Sequence, residues 1–257
     1  MQTNTLVSLD IKFETADIIP APFSHQIVVK AALDKPTIPL SFQILYTYRD
    51  DLTEEEILEE GFTVKDDFSW EGQLDAAWKE PILQLMTQTP EKFSTKALEE
   101  EENFFEITLN NQEKGVPKNQ ESWEYLLQEL MQAVFETAEK EAPLYIIFVE
   151  IDQQKKASSV EVSLQFAQRN ARVYTMDGED KAEKEIDWEL AKDLIQLVFV
   201  GEFMPEKATT NEPKNTGKYI STGDGIWYEF TKSLKNPNGN RYYLTDLMAA
   251  WNEVKFA

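Results

Sequence analysis

Residues 119–151 read NQESWEYLLQELMQAVFETAEKEAPLYIIFVEI, and the periodicity changes once inside this stretch. From about Asn119 to Lys140, the residues Trp123, Leu126, Leu127, Leu130, Met131, Val134, Phe135 and Ala138 recur in three- and four-residue steps, the apolar face of a helix. From Leu144 to Ile151 the apolar run is continuous and β-branched, as in a buried strand. A long amphipathic helix followed directly by a buried strand calls for a sheet with helices packed on it.

Downstream, Val160–Phe166 alternates, Arg172–Thr175 is placed to pair with it, and Asp177-Gly178 is a turn signal. Asp187 then caps a helix whose face is Trp188, Ala191, Leu194, Ile195, Val198 and Phe199, with Gly201 at its end. After the polar stretch Met204–Lys218 come a strand pair, Lys218–Ser221 and Ile226–Lys232, around Gly223-Asp224-Gly225. The Asn236–Asn240 turn leads into a last helix carrying Leu244, Leu247, Met248 and Trp251 on one face.

Upstream, Phe104–Leu109 reads as a strand before a Gly115/Pro117 turn. The N-terminal third is β-rich: Leu6–Phe13, His25–Leu33 and Pro39–Tyr48 are strands, and Asp17–Ser24, with Pro20 and Pro22, is a loop. Thr53 and Glu56 form a capping box with Leu52 and Ile57 at staple spacing, and Gly61 is a stop. Leu74, Ala77, Trp78, Pro81, Ile82, Leu85 and Met86 make a helical stripe in which Pro81 marks a kink or a second start.

Strands grouped with helices predict the α+β class, with antiparallel or mixed sheets each packed by amphipathic helices. A faint echo between Trp70-Glu71…Leu74 and Trp188-Glu189-Leu190 admits two similar subdomains. The polar segment Thr87–Glu102, ending in four glutamates, is the best boundary, giving a β-rich α+β domain over 1–92 and a second α+β domain over 103–257. A single domain over 1–257 is the alternative.

Composition excludes several chemistries. The 257 residues include 25 Lys and Arg, 47 Asp and Glu, one His and no Cys, for a net charge of −22. Disulfides, Cys-ligated zinc, iron–sulfur clusters and thiolate nucleophiles are ruled out, as are sites needing two imidazoles. No phosphate-binding glycine loop is present, and Asn215-Thr216-Gly217-Lys218 lacks the residues that would complete one. No run of about 18 apolar residues and no signal-peptide pattern occurs, so a cytoplasmic setting is the default. The acidic balance opposes binding to nucleic acid or anionic membranes.

His25 is the one side chain with an ordinary pKa near neutrality, and it reads either as a general base or as a strand-start residue. The clusters Asp50-Asp51, Asp66-Asp67 and Asp177–Asp180 lack an EF-hand pattern and read as solvated turns, and Glu99–Glu102 as a solvated face. Residues 207–257 carry seven basic and five acidic residues, +2, which leaves −24 on residues 1–206. That same segment holds Tyr219, Trp227, Tyr228, Phe230, Tyr242, Tyr243, Trp251 and Phe256. Rings beside cations serve in pockets and hot spots, though they also close cores.

The expected binding residues are therefore Trp227, Tyr228, Asp224, Arg241, Tyr219 and His25, with no catalytic residue, metal ligand or cofactor assigned. The expected function is a non-enzymatic, soluble, acidic interaction protein with a protein partner. In its specific form the partner is basic and is neutralised by an inhibitor of this charge. Two alternatives stand beside it. One is a hydrolase or lyase using paired carboxylates with Mg²⁺ or Ca²⁺, or His25 as base. The other is a small-ligand carrier with an aromatic pocket at Trp227 or Tyr228.

Overall fold

The computed structural model of the protein describes residues 7–89 and 93–256. The chain divides into two compact units between Glu141 and Ala142. Each contains an antiparallel sheet of six strands together with helices, a mixed α+β composition.

In unit 1, β1 (Ser8–Glu14), β2 (His25–Ala32) and β3 (Ile38–Tyr46) precede a short helix, α1 (Glu54–Glu59). Then come β4 (Phe68–Leu74), α2 (Lys79–Gln88), β5 (Phe104–Leu109), β6 (Glu113–Gly115) and α3 (Gln120–Thr137). The sheet order is β4-β3-β2-β1-β5-β6. Two-residue alternation buries Leu9, Ile11, Ile27, Val29, Leu40 and Phe42 on one face. Phe135 of α3 rests on that face, its ring 6.0 Å from Phe42 and 5.4 Å from Phe68. Trp123 is fully buried, and its indole N–H donates to Thr89 Oγ1 at 2.9 Å, tying α3 to the end of α2.

The division of the chain falls later than the polar segment at 87–102 suggested. β5 follows that segment but pairs with β1 from Leu9↔Leu109 to Glu14↔Phe104, so residues 103–141 complete the first sheet. The helical stripe starting at Leu74 also resolves differently. Leu74 closes β4, a 3₁₀ turn follows over Ala76–Trp78, and α2 begins at Lys79 with Pro81 in its first turn. Pro is tolerated there because first-turn N–H groups have no partner within the helix.

Unit 2 comprises β7 (Leu144–Ile151), β8 (Ala157–Gln165), β9 (Asn170–Asp177), β10 (Asp180–Ile186), α4 (Trp188–Phe199) and β11 (Glu202–Phe203). It ends with β12 (Gly217–Ser221), β13 (Tyr228–Glu229), β14 (Leu234–Lys235) and α5 (Tyr243–Phe256). Its sheet order is β10-β9-β8-β7-β12-β13, with β11 and β14 paired separately. The six-stranded sheet has the same strand order as that of unit 1, four meandering strands with two more added beyond the first. In both units a helix follows the fourth strand and another ends the unit; α1 and the β11–β14 pair have no counterpart. The core joins sheet and helices, with Trp251 stacked on Phe148 at 5.6 Å. Tyr243 donates its hydroxyl to Val198 O at 2.9 Å, and burial pushes that hydroxyl up to about 12.

The residues that match between units are not those of the faint echo, since Trp70 lies inside β4 while Trp188 opens α4. Leu74-Asp75 and Ile186-Asp187 correspond instead. Each pair ends its strand and caps the next helical turn, Asp75 accepting from Ala77 N–H and Asp187 from Glu189 and Leu190 N–H. Among the described residues, no helix is long and apolar enough to cross a membrane.

Candidate partner-binding surface

Of the five expected residues of unit 2, Tyr219, Asp224, Trp227 and Tyr228 belong to the β12–β13 hairpin and its turn, and Arg241 lies beyond it in the chain. Tyr219 and Tyr228 are both buried, and burial, with Glu229 beside Tyr219 and Asp224 beside Tyr228, raises both hydroxyls above their ordinary value. Ile220 pairs with Tyr228, so Tyr219 lies on the opposite sheet face. Tyr228 packs edge-on against Phe203 at 4.8 Å, inside the core. Trp227 is half-buried and exchanges backbone hydrogen bonds with Thr209 at 2.7 and 3.1 Å. Asp224 accepts from Ile226 N–H at 2.9 Å, forming the turn between two glycines of positive φ. A Cβ on Gly223 would stand 2.9 Å from Tyr145 O, so the close approach there is to a neighbouring strand. Arg241 is exposed and lies over the ring of Tyr242 at 5.1 Å.

His25 belongs to unit 1, at the start of β2. Its ring lies 5.6 Å from Phe13 and 5.7 Å from Tyr46, with Nδ1 2.8 Å from Phe23 O. The nearby acid pair is engaged by the chain itself. Asp66 and Asp67 line a depression of about 270 Å³ with Tyr46, Phe68 and Lys140. Asp67 accepts from Tyr46 N–H at 2.8 Å. Asp66 accepts from Thr63 N–H at 2.7 Å, from Thr63 Oγ1 at 2.6 Å and from Arg49 Nη1 at 3.1 Å. Burial pushes the Asp66 carboxyl up, but the Thr63 and Arg49 hydrogen bonds and the Arg49 charge outweigh it and hold it below its ordinary value. Among the described residues, no group of three or more His, Asp or Glu is placed to hold a metal ion.

The most distinctive surface lies at the end of unit 1 where β1 and β3 finish and β5 begins. Antiparallel order brings residues 15–24, 47–67 and 93–103 to this one end. Named bonds hold them together. Thr47 N–H donates to Ser24 O, and Ser24 Oγ donates to Thr47 O, both at 2.9 Å. Ala16 N–H donates to Asn103 Oδ1 at 3.0 Å, and Ile18 N–H to Glu100 O at 3.4 Å.

Arg49 is the clasp. Its side chain is 12% exposed, donates to Pro22 O at 2.9 and 3.2 Å and to Thr63 O at 2.8 Å, and lies 3.9 Å over the Tyr46 ring. Its donors are turned inward. The expected capping box is formed, with Thr53 N–H donating to Glu56 Oε2 at 2.8 Å and Glu56 N–H to Thr53 Oγ1 at 3.3 Å.

These three segments hold 14 acidic residues and three basic ones, a net −11 and half the charge of the chain. Twelve of the 14 acids are exposed, all except Asp66 and Glu102. Set among them are Ile18, Ile19, Phe23 and Tyr48, which are 55%, 36%, 41% and 71% exposed. Composition hinted at the acids but not at these four residues. The one available signal was apolar residues beside prolines in a loop.

The chain matches no protein-family model, no curated protein and no solved structure. The second unit is therefore the internal reference. Its corresponding segments are residues 152–156, 178–179 and 204–216, held at one end by Thr216 Oγ1 donating to Asp152 O at 3.0 Å. They carry four acidic and four basic residues, a net charge of zero. Unit 1 as a whole has 29 acids and 11 bases, −18, against 18 and 14, −4, for unit 2. The 21 residues joining β3 to β4 stand where unit 2 has the two-residue turn Gly178-Glu179.

Proposed function

We propose that the protein is a binding protein that performs no chemistry of its own and takes a positively charged protein partner on the loop end of unit 1. The observation that carries this reading is the contrast of −11 with zero at matching ends of two sheets of the same strand order. A sheet and helices of this kind do not require acids in their loops, since unit 2 is built without the excess. Exposed like charges repel and weaken the compact state, while their summed field attracts an oppositely charged partner from beyond contact distance. The field excludes nucleic acid and anionic lipid for the same reason.

The test uses a fluorescent, lysine-rich peptide and two sets of neutral substitutions of equal charge change. One set is Glu55→Gln, Glu59→Gln, Glu60→Gln, Glu100→Gln and Glu101→Gln; the other is Glu179→Gln, Glu202→Gln, Glu206→Gln, Glu212→Gln and Glu253→Gln. The first set is expected to weaken binding by about tenfold or more at low salt and the second by less than about twofold. Raising ionic strength toward 0.15 M, where the screening length shrinks to about 8 Å, should weaken the unaltered protein as well. Equal losses from the two sets would sink the proposal.

A further inference from the structure

Building on that reading, we infer that the partner presents an amphipathic segment, with apolar anchors beside Lys or Arg, and that the anchors seat on Phe23, Tyr48, Ile18 and Ile19. The placement follows from the backbone. Ser24 is bonded to Thr47, and Pro22 O receives the Arg49 guanidinium, so the triplets 22–24 and 47–49 lie side by side. Phe23 and Tyr48 are the central residues of those triplets, and both are exposed. Ile18 and Ile19 sit in the same loop as Phe23, with Ile18 N–H bonded to Glu100 O at 3.4 Å. Asp17 adjoins Ile18 in the chain, Asp50 and Asp51 follow Tyr48 by two and three residues, and the Ile18–Glu100 bond brings Glu99–Glu101 to the same loop; all six acids are exposed.

Two physical arguments make this a docking surface and not merely a wet loop. Loops of this kind are ordinarily polar at their tips, and four large apolar side chains left 36–71% exposed forgo part of the stabilisation that full burial would bring. The loops are also held in place before any partner arrives. The Arg49 clasp, the Thr63–Asp66 turn and the Phe23–Phe62 edge contact at 5.4 Å fix their backbones. A surface already ordered spares the ordering cost that binding otherwise carries. Aromatic anchors at the centre with charges at the rim are the usual layout of a protein interface. The sign of the rim then selects the occupant: an acidic or uncharged apolar segment gains nothing from it, whereas Lys and Arg beside apolar anchors satisfy both parts.

Two peptides of equal length and charge separate the parts, one alternating Lys with Leu in an amphipathic pattern and one with Ser in place of every Leu. Both are titrated into the full chain and into Tyr48→Ser and Ile18→Ser variants, with circular dichroism to confirm that each variant is folded. The full chain is expected to prefer the Leu peptide at least tenfold, and each variant to lose most of that preference while keeping its salt-sensitive affinity for the Ser peptide. Equal binding of the two peptides by the full chain, or a preference that survives in both variants, overturns the inference and leaves the electrostatic proposal standing. Failure of both peptides to bind at low salt removes the electrostatic proposal and this one together. Concentration-dependent self-association in sedimentation that is lost in Tyr48→Ser would make a second copy of the chain the occupant and also overturn the inference.

Discussion

Unit 1 and unit 2 have the same strand order and the same placement of two helices, yet they differ at the loop end of the sheet. In unit 2, β9 turns into β10 through Gly178-Glu179, Lys156 pairs with Asp177 at 2.5 Å, and acids and bases balance. In unit 1 the equivalent connection is 21 residues long, carries nine acids against two bases, and is pinned by a largely buried arginine. The difference separates scaffold from specialisation. Sheets and helices recur with only their apolar alternation in common, while the acidic excess of unit 1 collects in its connections. The long connection of unit 1 is not structureless, since it contains a 3₁₀ turn over Arg49–Asp51 and α1.

If the two units are equivalent scaffolds, damage to their cores should cost alike. Trp123 in α3 and Trp251 in α5 are both essentially fully buried, at 0% and 1% exposure. Trp123→Ala and Trp251→Ala are each expected to cost about 3–5 kcal/mol, read from urea unfolding, because a cavity adds to the lost transfer energy. A cost below about 1 kcal/mol for either would show that its unit is not held together by its last helix.

The arginines should break the symmetry at the next level. Arg49 and Asp66 are mostly buried, their side chains 12% and 24% exposed, whereas Arg172 and Glu183 form an exposed pair at 43% and 50%. Arg49→Met is expected to destabilise by about 2–3 kcal/mol, because it leaves the Pro22 and Thr63 carbonyl oxygens without their donor and removes the counter-charge of Asp66, which keeps only its Thr63 hydrogen bonds. Arg172→Met should stay within about 0.5 kcal/mol. The clasp also has a pH signature. The folded-state pKa of Asp66 lies below its ordinary value of 3.8, so its contribution is fully present above that value and is lost as pH falls below it. Asp66→Asn should flatten the stability profile in that acidic window, and an unchanged profile would show that the clasp contributes nothing to stability.

Much of the scaffold was legible because its signals are local. The helix at 120–137, the strands at 104–109 and 144–151, and the Thr53 capping box each follow from residues a few positions apart. Three edge strands were hidden, β6 by its shortness and the other two for opposite reasons. β10 reads Asp-Lys-Ala-Glu-Lys-Glu-Ile, and charges that protect an edge also erase the apolar alternation that would announce a strand. In β4 the alternation is present, but Leu74 also fits the spacing of the following helix and was absorbed into it.

The division of the chain could not be read because β5 returns across a polar gap to pair with β1, and nothing near residue 104 encodes a partner nearly a hundred positions earlier. Charge behaved in the same way. Counted along the chain, the contrast fell at residue 206, with +2 on the aromatic tail. Topology gathers distant loops at one end, and the steepest contrast then lies between two sheet ends. In the aromatic tail, sequence alone does not separate rings that close a core from rings that face solvent: Tyr242 and Phe256 are exposed and Trp227 is half-buried. Tyr219, Tyr228, Phe230, Tyr243 and Trp251 are all buried.

The smallest effect is the most discriminating. Tyr48 adopts φ 60 and ψ 23, the left-handed region, and the residue is 71% exposed. An L-residue there is disfavoured by roughly 1–2 kcal/mol, and glycine relieves this at an entropic cost of about 0.5–1 kcal/mol in the unfolded chain. Tyr48→Gly is therefore expected to leave stability unchanged or raise it by up to about 1 kcal/mol in thermal or urea unfolding. A tyrosine kept for structure would show the opposite sign, because its removal would cost packing. The comparison with unit 2 adds a control: Gly178 adopts φ 65 at the turn that replaces this connection, so there the left-handed position is already filled by the residue that suits it. Tyr48 thus holds a left-handed position at one sheet end where Gly178 holds one at the other, and under the proposed reading only the first is kept for a partner. Tyr48→Gly should then lose the preference for the Leu peptide while gaining or holding stability, and loss of stability together with retained preference would return Tyr48 to the scaffold.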